Sequence, residues 1–238
     1  MKDHDSPASE ALCLIHHHFP HAVGALLGGS AARGHTSTSS DLDVAVLLPD
    51  SDTSRRQVIR HNGRLAELFI HTVTGFQQAL EHNRGNRRGT LLFIYDQGMP
   101  LLDPYGDLER ARVQARSSLA AGPIPLTPAE WERGRYLLTC FMDDLIDVPS
   151  TNRYEQLSLA DHTLLEAAHL LTAHHRVWTG IGKWLPRRLL SADPVHGQAL
   201  LDGHQPVAEH ADTAPLAVAA ERVLDLVGGP LRERYTQR

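Results

Sequence analysis

The stretch from Gly28 to Val46 constrains this chain more than any other. An apolar run, Ala22 to Leu27, feeds into Gly28-Gly29-Ser30. Small and polar residues follow, and Ser40-Asp41-Leu42-Asp43 then opens a second apolar run that Pro49 ends. Short apolar runs bounded by Gly, Ser, Asp and Pro predict strands. Side chains alternate along a strand, so Asp41 and Asp43 share one face while Leu42, Val44 and Val46 share the other. The apolar face must be buried, and the acidic face needs a reason to exist. Two neighbouring carboxylates repel each other unless a cation sits between them. Hard oxygen ligands suit Mg²⁺, which takes one or two carboxylates plus substrate phosphates. Gly28 and Gly29 let the backbone approach a phosphate. Ser30 and the amides after it can donate to phosphate oxygens, and Arg33 can add a charge-assisted contact.

Around this segment the first half alternates short elements. Ala8 to Phe19 predicts an opening helix stopped by Pro20. Val58 to Arg60, Asn62-Gly63 and Leu65 to His71 predict a hairpin, since Asn-Gly is the strongest short hairpin signal. Glu67 is the only acid in the Leu65 to Ile70 run. Gly75 to His82 reads as a helix, Asn83 to Gly89 as a mobile Arg/Gly/Asn-rich loop, Met99 to Leu102 as a strand and Asp107 to Ala120 as a helix.

After Ala121-Gly122-Pro123-Ile124-Pro125 the texture becomes helical. Thr127, Pro128 and Glu130 form a helix start with N-cap, first-turn Pro and capping-box acid. Helical apolar spacing covers Glu130 to Ile146, Gln156 to Trp178 and Pro215 to Val227, with Pro186 interrupting the segment between. The expectation is an α+β chain: residues 1–120 a sheet flanked by helices, residues 121–238 an α-helical bundle.

Gly29-Ser30, Arg33-Gly34 and Ser40-Asp41-Leu42-Asp43 resemble the motif of the DNA polymerase β-like nucleotidyltransferase superfamily, in its small bacterial members. The resemblance covers about twenty residues directly. It implies Asp41, Asp43 and Glu67 as catalytic carboxylates and metal ligands, with Glu67 as third ligand, general base or both. It implies Gly29, Ser30, Arg33 and Ser40 at the nucleotide, Mg²⁺ in a two-metal arrangement, and ATP as donor. Trp178-Thr179-Gly180-Ile181-Gly182-Lys183-Trp184-Leu185 resembles the C-terminal domains of the aminoglycoside adenylyltransferase kind, with Lys183 reaching the triphosphate. Arg135-Tyr136 and Asp143-Asp144 fit the same layout. The implied reaction is attack of an acceptor hydroxyl on the α-phosphate with release of pyrophosphate. The acceptor implied is a small molecule of aminoglycoside type. The alternative is an antitoxin-like nucleotidyltransferase that modifies or masks a protein partner; such proteins are short, and the helical half favours the first reading.

Composition narrows the partners. Formal net charge is -5, which opposes bulk binding of nucleic acid. The balance is -1 over residues 1–120 and -4 over residues 121–238, so the helical half suits a cationic acceptor. The only lysines are Lys2 and Lys183. Cys13 and Cys140 make no disulfide framework and are expected as small buried residues, which fits a reducing cytoplasm. No apolar stretch reaches membrane-spanning length. His16-His17-His18 occupy successive helix positions about 100° apart, which predicts a surface run. His169 and His175 lie at neither i+3 nor i+4 and form no ligand pair. The apolar helical stripes are compatible with a homodimer seam as well as with an ordinary core.

Overall fold

A computed structural model describes residues 6–33, 41–233, 235 and 236. The chain forms two compact units, Met1–Pro123 and Ile124–Arg238. The first is α+β. Its sheet has five strands, β1 (Gly24–Leu27), β2 (Leu42–Leu48), β3 (Arg55–His61), β4 (Arg64–Thr72) and β5 (Met99–Leu102). Their order is β3-β4-β2-β1-β5. β2 and β4 run parallel, and the other pairs are antiparallel. The hairpin turns at Asn62 and Gly63, both at positive φ (49° and 84°), which is the backbone that a two-residue turn between twisted strands requires.

The helix α1 (Pro7–His18) covers one face. Ser6 caps its first turn, and Ala11, Leu14 and Ile15 form its buried stripe. They pack with Leu42, Val44, Val46 and Leu48 of β2 and Ala66, Leu68 and Ile70 of β4. Each fully buried Leu or Ile contributes about 1.5–3 kcal/mol relative to exposure. By alternation Asp43, Ala45 and Leu47, and across from them Glu67, Phe69 and His71, point to the other face. There α2 (Val73–Gly85) and α3 (Thr90–Gln97) meet the sheet: the Phe76 ring lies 6.0 Å from His71 and 4.4 Å from Tyr95. α4 (Asp107–Ala121) packs against α3 and β1, and the Cβ of Leu108 closes on Gly24.

The second unit contains α5 (Pro128–Asp147), α6 (Arg153–His174), α7 (Trp184–Ala192), α8 (Pro194–His210) and α9 (Ala214–Leu226). Thr127 and Glu130 form the capping box at its start. Leu138, Met142, Leu164, Leu171, Leu200, Leu216 and Val223 lie in one core. Gly203 lets α8 approach the backbone of α9 at Leu216. The segment after α9 is tied to α5: Arg135 donates to the carbonyls of Gly228 and Gly229, Leu231 N–H donates to Thr139 Oγ1, and Arg232 forks onto Asp143. No helix among the described residues is long and apolar enough to cross a membrane.

Several elements differ from the sequence reading. Residues 83–89 are not a loop throughout, because α2 continues to Gly85. Asn83 bridges the junction, donating to Ala79 O and accepting from Leu91 N–H at the start of α3. The helix α3 is eight residues long with polar side chains only near its ends, at Thr90, Asp96 and Gln97, so no 3.6-residue period shows in the sequence. α6 ends at His174 rather than Trp178, because Arg176 adopts φ 56°. Pro186 does not interrupt a helix: it sits in the first turn of α7, where no N–H is needed. α8 was missed because Gly197, Gly203 and Pro206 lower its propensity. Cys13 is exposed and Cys140 half-buried, so neither is a core residue.

Candidate active site

The site begins where β1 runs out. Leu27 is the last strand residue, and Gly28 N–H donates to the carbonyl of Asp43 at 2.7 Å. That bond joins the end of β1 to the start of β2. Gly29 then turns left-handed at φ 64°. Ala31–Arg33 form one 3-10 turn, with Ala32 N–H donating to Gly28 O. A Cβ at Gly29 would overlap Oδ2 of Asp43, so the glycine is a cradle for that carboxylate. Ser30 is half-buried beside it. The Arg33 side chain and Ser40 lie outside the described residues.

Parallel pairing puts Asp43 of β2 directly beside Glu67 of β4. Neighbouring strands lie about 4.8 Å apart, so the two side chains leave the sheet side by side on the α2/α3 face. Asp41 precedes β2 rather than lying within it, and is exposed. Strand alternation therefore applies to Asp43 but does not fix where Asp41 points.

Glu67 has a partner that sequence reasoning missed. Arg56 of β3 donates through Nε to Oε1 at 2.6 Å, and Nη2 also contacts Oε1. Its guanidinium lies 4.9 Å from the centre of the Phe69 ring. In the register of the hairpin Arg56 faces Phe69 and Val58 faces Glu67, so Arg56 reaches Glu67 diagonally. The signal available in the sequence was the hairpin itself: counting back from Asn62-Gly63 pairs residue 56 with 69. His71, two residues further along β4, is held below the usual histidine range by burial, partly countered by a hydrogen bond at Phe69.

The hard-oxygen chemistry of Asp43 and Glu67, and the glycine cradle at Asp43, fit a Mg²⁺-class ion. Among the described residues no group of three or more His, Cys, Asp or Glu side chains is gathered to hold a metal. The two carboxylates brought together are thus Asp43 and Glu67, with the Arg56 guanidinium on Glu67.

The remaining residues lie in the second unit. Lys183 is exposed at the N-cap of α7. Arg135 and Asp143 are engaged with the chain end as described above. Asp144 lines an open cavity of about 640 Å³ with Asp147, Tyr154 and Glu155. His175 and His196 both contact Asp193 Oδ2, at 3.2 and 2.8 Å, a hydrogen-bonded cluster between elements that the spacing along one helix does not show. His18 likewise meets His61 of the hairpin, with ring centres 5.7 Å apart.

No protein-family model and no curated protein matches the chain. Among solved structures it is similar to a nucleotidyltransferase-like protein from Exiguobacterium sibiricum, at 14% identity and a TM-score of 0.47, over 92% of this chain and 74% of that one. The chain's own residues therefore carry the functional argument.

Proposed function

We propose that the chain is a metal-dependent nucleotidyltransferase that moves a nucleoside monophosphate, AMP from ATP, to a hydroxyl of a small cationic acceptor of aminoglycoside type. The observation that carries this is the in-register pair Asp43 and Glu67, with Asp43 seated against the Gly29 turn.

Asp43 and Glu67 would hold Mg²⁺ from adjacent strands, and Asp41, just before β2, is the proposed third ligand. When bound, the ion would polarise the phosphate and neutralise charge developing on the oxygens. Gly29 and Ser30 bring the backbone up to the phosphates, and the absence of a Cβ at 29 keeps that approach open. Both Arg56 contacts fall on Oε1 of Glu67, and Oε2 would then be the oxygen to take the acceptor hydroxyl's proton where Glu67 acts as base. Positioning and fixed charge, rather than covalent chemistry by a side chain, lower the barrier. The acidic balance of the helical half supports a cationic acceptor.

The test is a screen of labelled nucleoside triphosphates with Mg²⁺ against a small-molecule panel that includes aminoglycosides, reading pyrophosphate release and acceptor labelling. Asp43→Asn should abolish release while the melting temperature holds. Activity that survives in that variant refutes the metal assignment. Label found only on a co-expressed protein favours the antitoxin-like alternative.

A further inference from the structure

We infer that Arg56 is a resident counter-ion on Glu67 that competes with a free divalent cation for the carboxylate site. The inference rests on the functional reading above. Asp43 and Glu67 are register partners on adjacent strands, where like charges disfavour each other. Arg56 relieves this by placing two donors, Nε and Nη2, on one oxygen, Oε1. Its approach is fixed from a second side by the Phe69 ring beneath the guanidinium.

The pairing is strong in geometry and modest in energy. The Arg56 side chain is 65% exposed and that of Glu67 27%. Exposed ion pairs yield little net stability, because water screens them and ordering the side chains costs entropy. A cation drawn by both carboxylates can therefore displace the guanidinium. While it stays, it repels an incoming dication and occupies Oε1. Arg56 sits on the edge strand β3, so it can swing towards solvent without disturbing the sheet. Arg56 is a positioning residue: it acts on the site through Glu67.

Mn²⁺, which serves as a spectroscopic probe of a Mg²⁺ site, tests this without any acceptor. Free Mn²⁺ is titrated by electron paramagnetic resonance against the full-length wild type, Arg56→Gln, Glu67→Gln and the double variant, with melting temperatures as folding controls. Arg56→Gln should bind Mn²⁺ about three- to five-fold tighter, the scale of a partly exposed ion pair. The gain should vanish in the Glu67→Gln background and shrink at high salt. Wild-type binding that Arg56→Gln leaves unchanged or weakens overturns the inference but not the functional reading. Binding absent from wild type that Arg56→Gln restores supports it. Binding absent from every protein overturns the inference, while the functional reading stands or falls on pyrophosphate release, where substrate phosphates complete the ion's ligands.

Discussion

The backbone of Gly29 lies directly against the carboxylate of Asp43, so close that a Cβ on residue 29 would overlap Oδ2. Two conditions meet at this glycine, a left-handed φ of 64° and a carboxylate where a side chain would go. Gly29→Ala should therefore act twice. The backbone term costs about 1 kcal/mol. The displaced Asp43 should lower pyrophosphate release by about a hundred-fold, as an ångström-scale misplacement does. Melting temperature and turnover measured on one preparation separate the two effects, and wild-type turnover in this variant contradicts the proposed role of Asp43.

Gly63 offers the contrasting case. Its φ is 84°, but a Cβ there would meet nothing within 4 Å. Gly63→Ala should cost stability through the backbone alone, about 1 kcal/mol by urea unfolding. A much larger loss would mean that the turn also sets the register that brings Arg56 to Glu67.

Tyr95 is fully buried, and its hydroxyl has no hydrogen-bond partner among the described residues. Burial pushes its phenol well above the usual 10.0. Removing the hydroxyl while keeping the ring removes an uncompensated polar group and retains the packing on Phe76. Tyr95→Phe should stabilise the protein by about 1–2 kcal/mol. A drop in unfolding free energy on this substitution would show that the hydroxyl has a partner after all.

Asp193 fastens three elements. Oδ1 accepts from Val195 and His196 N–H at the start of α8, and Oδ2 meets the rings of His196 and of His175, which follows α6. Burial raises the carboxyl, but the amide and ring of His196 and the amide of Val195 outweigh it and hold it at about 2. A depressed acid stabilises the fold above its unfolded value of 3.8 and loses that contribution as pH falls towards 2. Asp193→Ala should cost about 1–2 kcal/mol at neutral pH, as loss of an N-cap does. The gap between wild type and variant should close between pH 4 and pH 2 in acid titrations of melting temperature. A gap that stays constant across that window would refute the carboxylate's role.

Much of the fold was legible locally. Leu42–Leu48 follows from its apolar run and Pro49, and the hairpin follows from Asn62-Gly63, because both signals lie within a few residues of what they determine. α1 and α5 were legible from caps and periodicity for the same reason. α3 and α8 were not. The first has little polar residue to mark a period, and the second carries glycines and a proline that only packing against α7 and α9 makes tolerable.

The candidate site divides along the same line. The sequence by itself determined that Asp43 faces away from Leu42 and Val44, that a glycine turn precedes it, and that Glu67 is the lone acid of its strand. Tertiary structure alone decided that Asp43 and Glu67 are register partners, that Gly29 closes on Asp43, and that Arg56 holds Glu67. Alternation is a property of one strand and can be read from one segment. Register between β2 and β4 depends on how separate segments are buried together, and no spacing within either encodes it; the pairing of β3 with β4 follows from the Asn62-Gly63 turn, and only the diagonal reach of Arg56 to Glu67 was left to the tertiary structure.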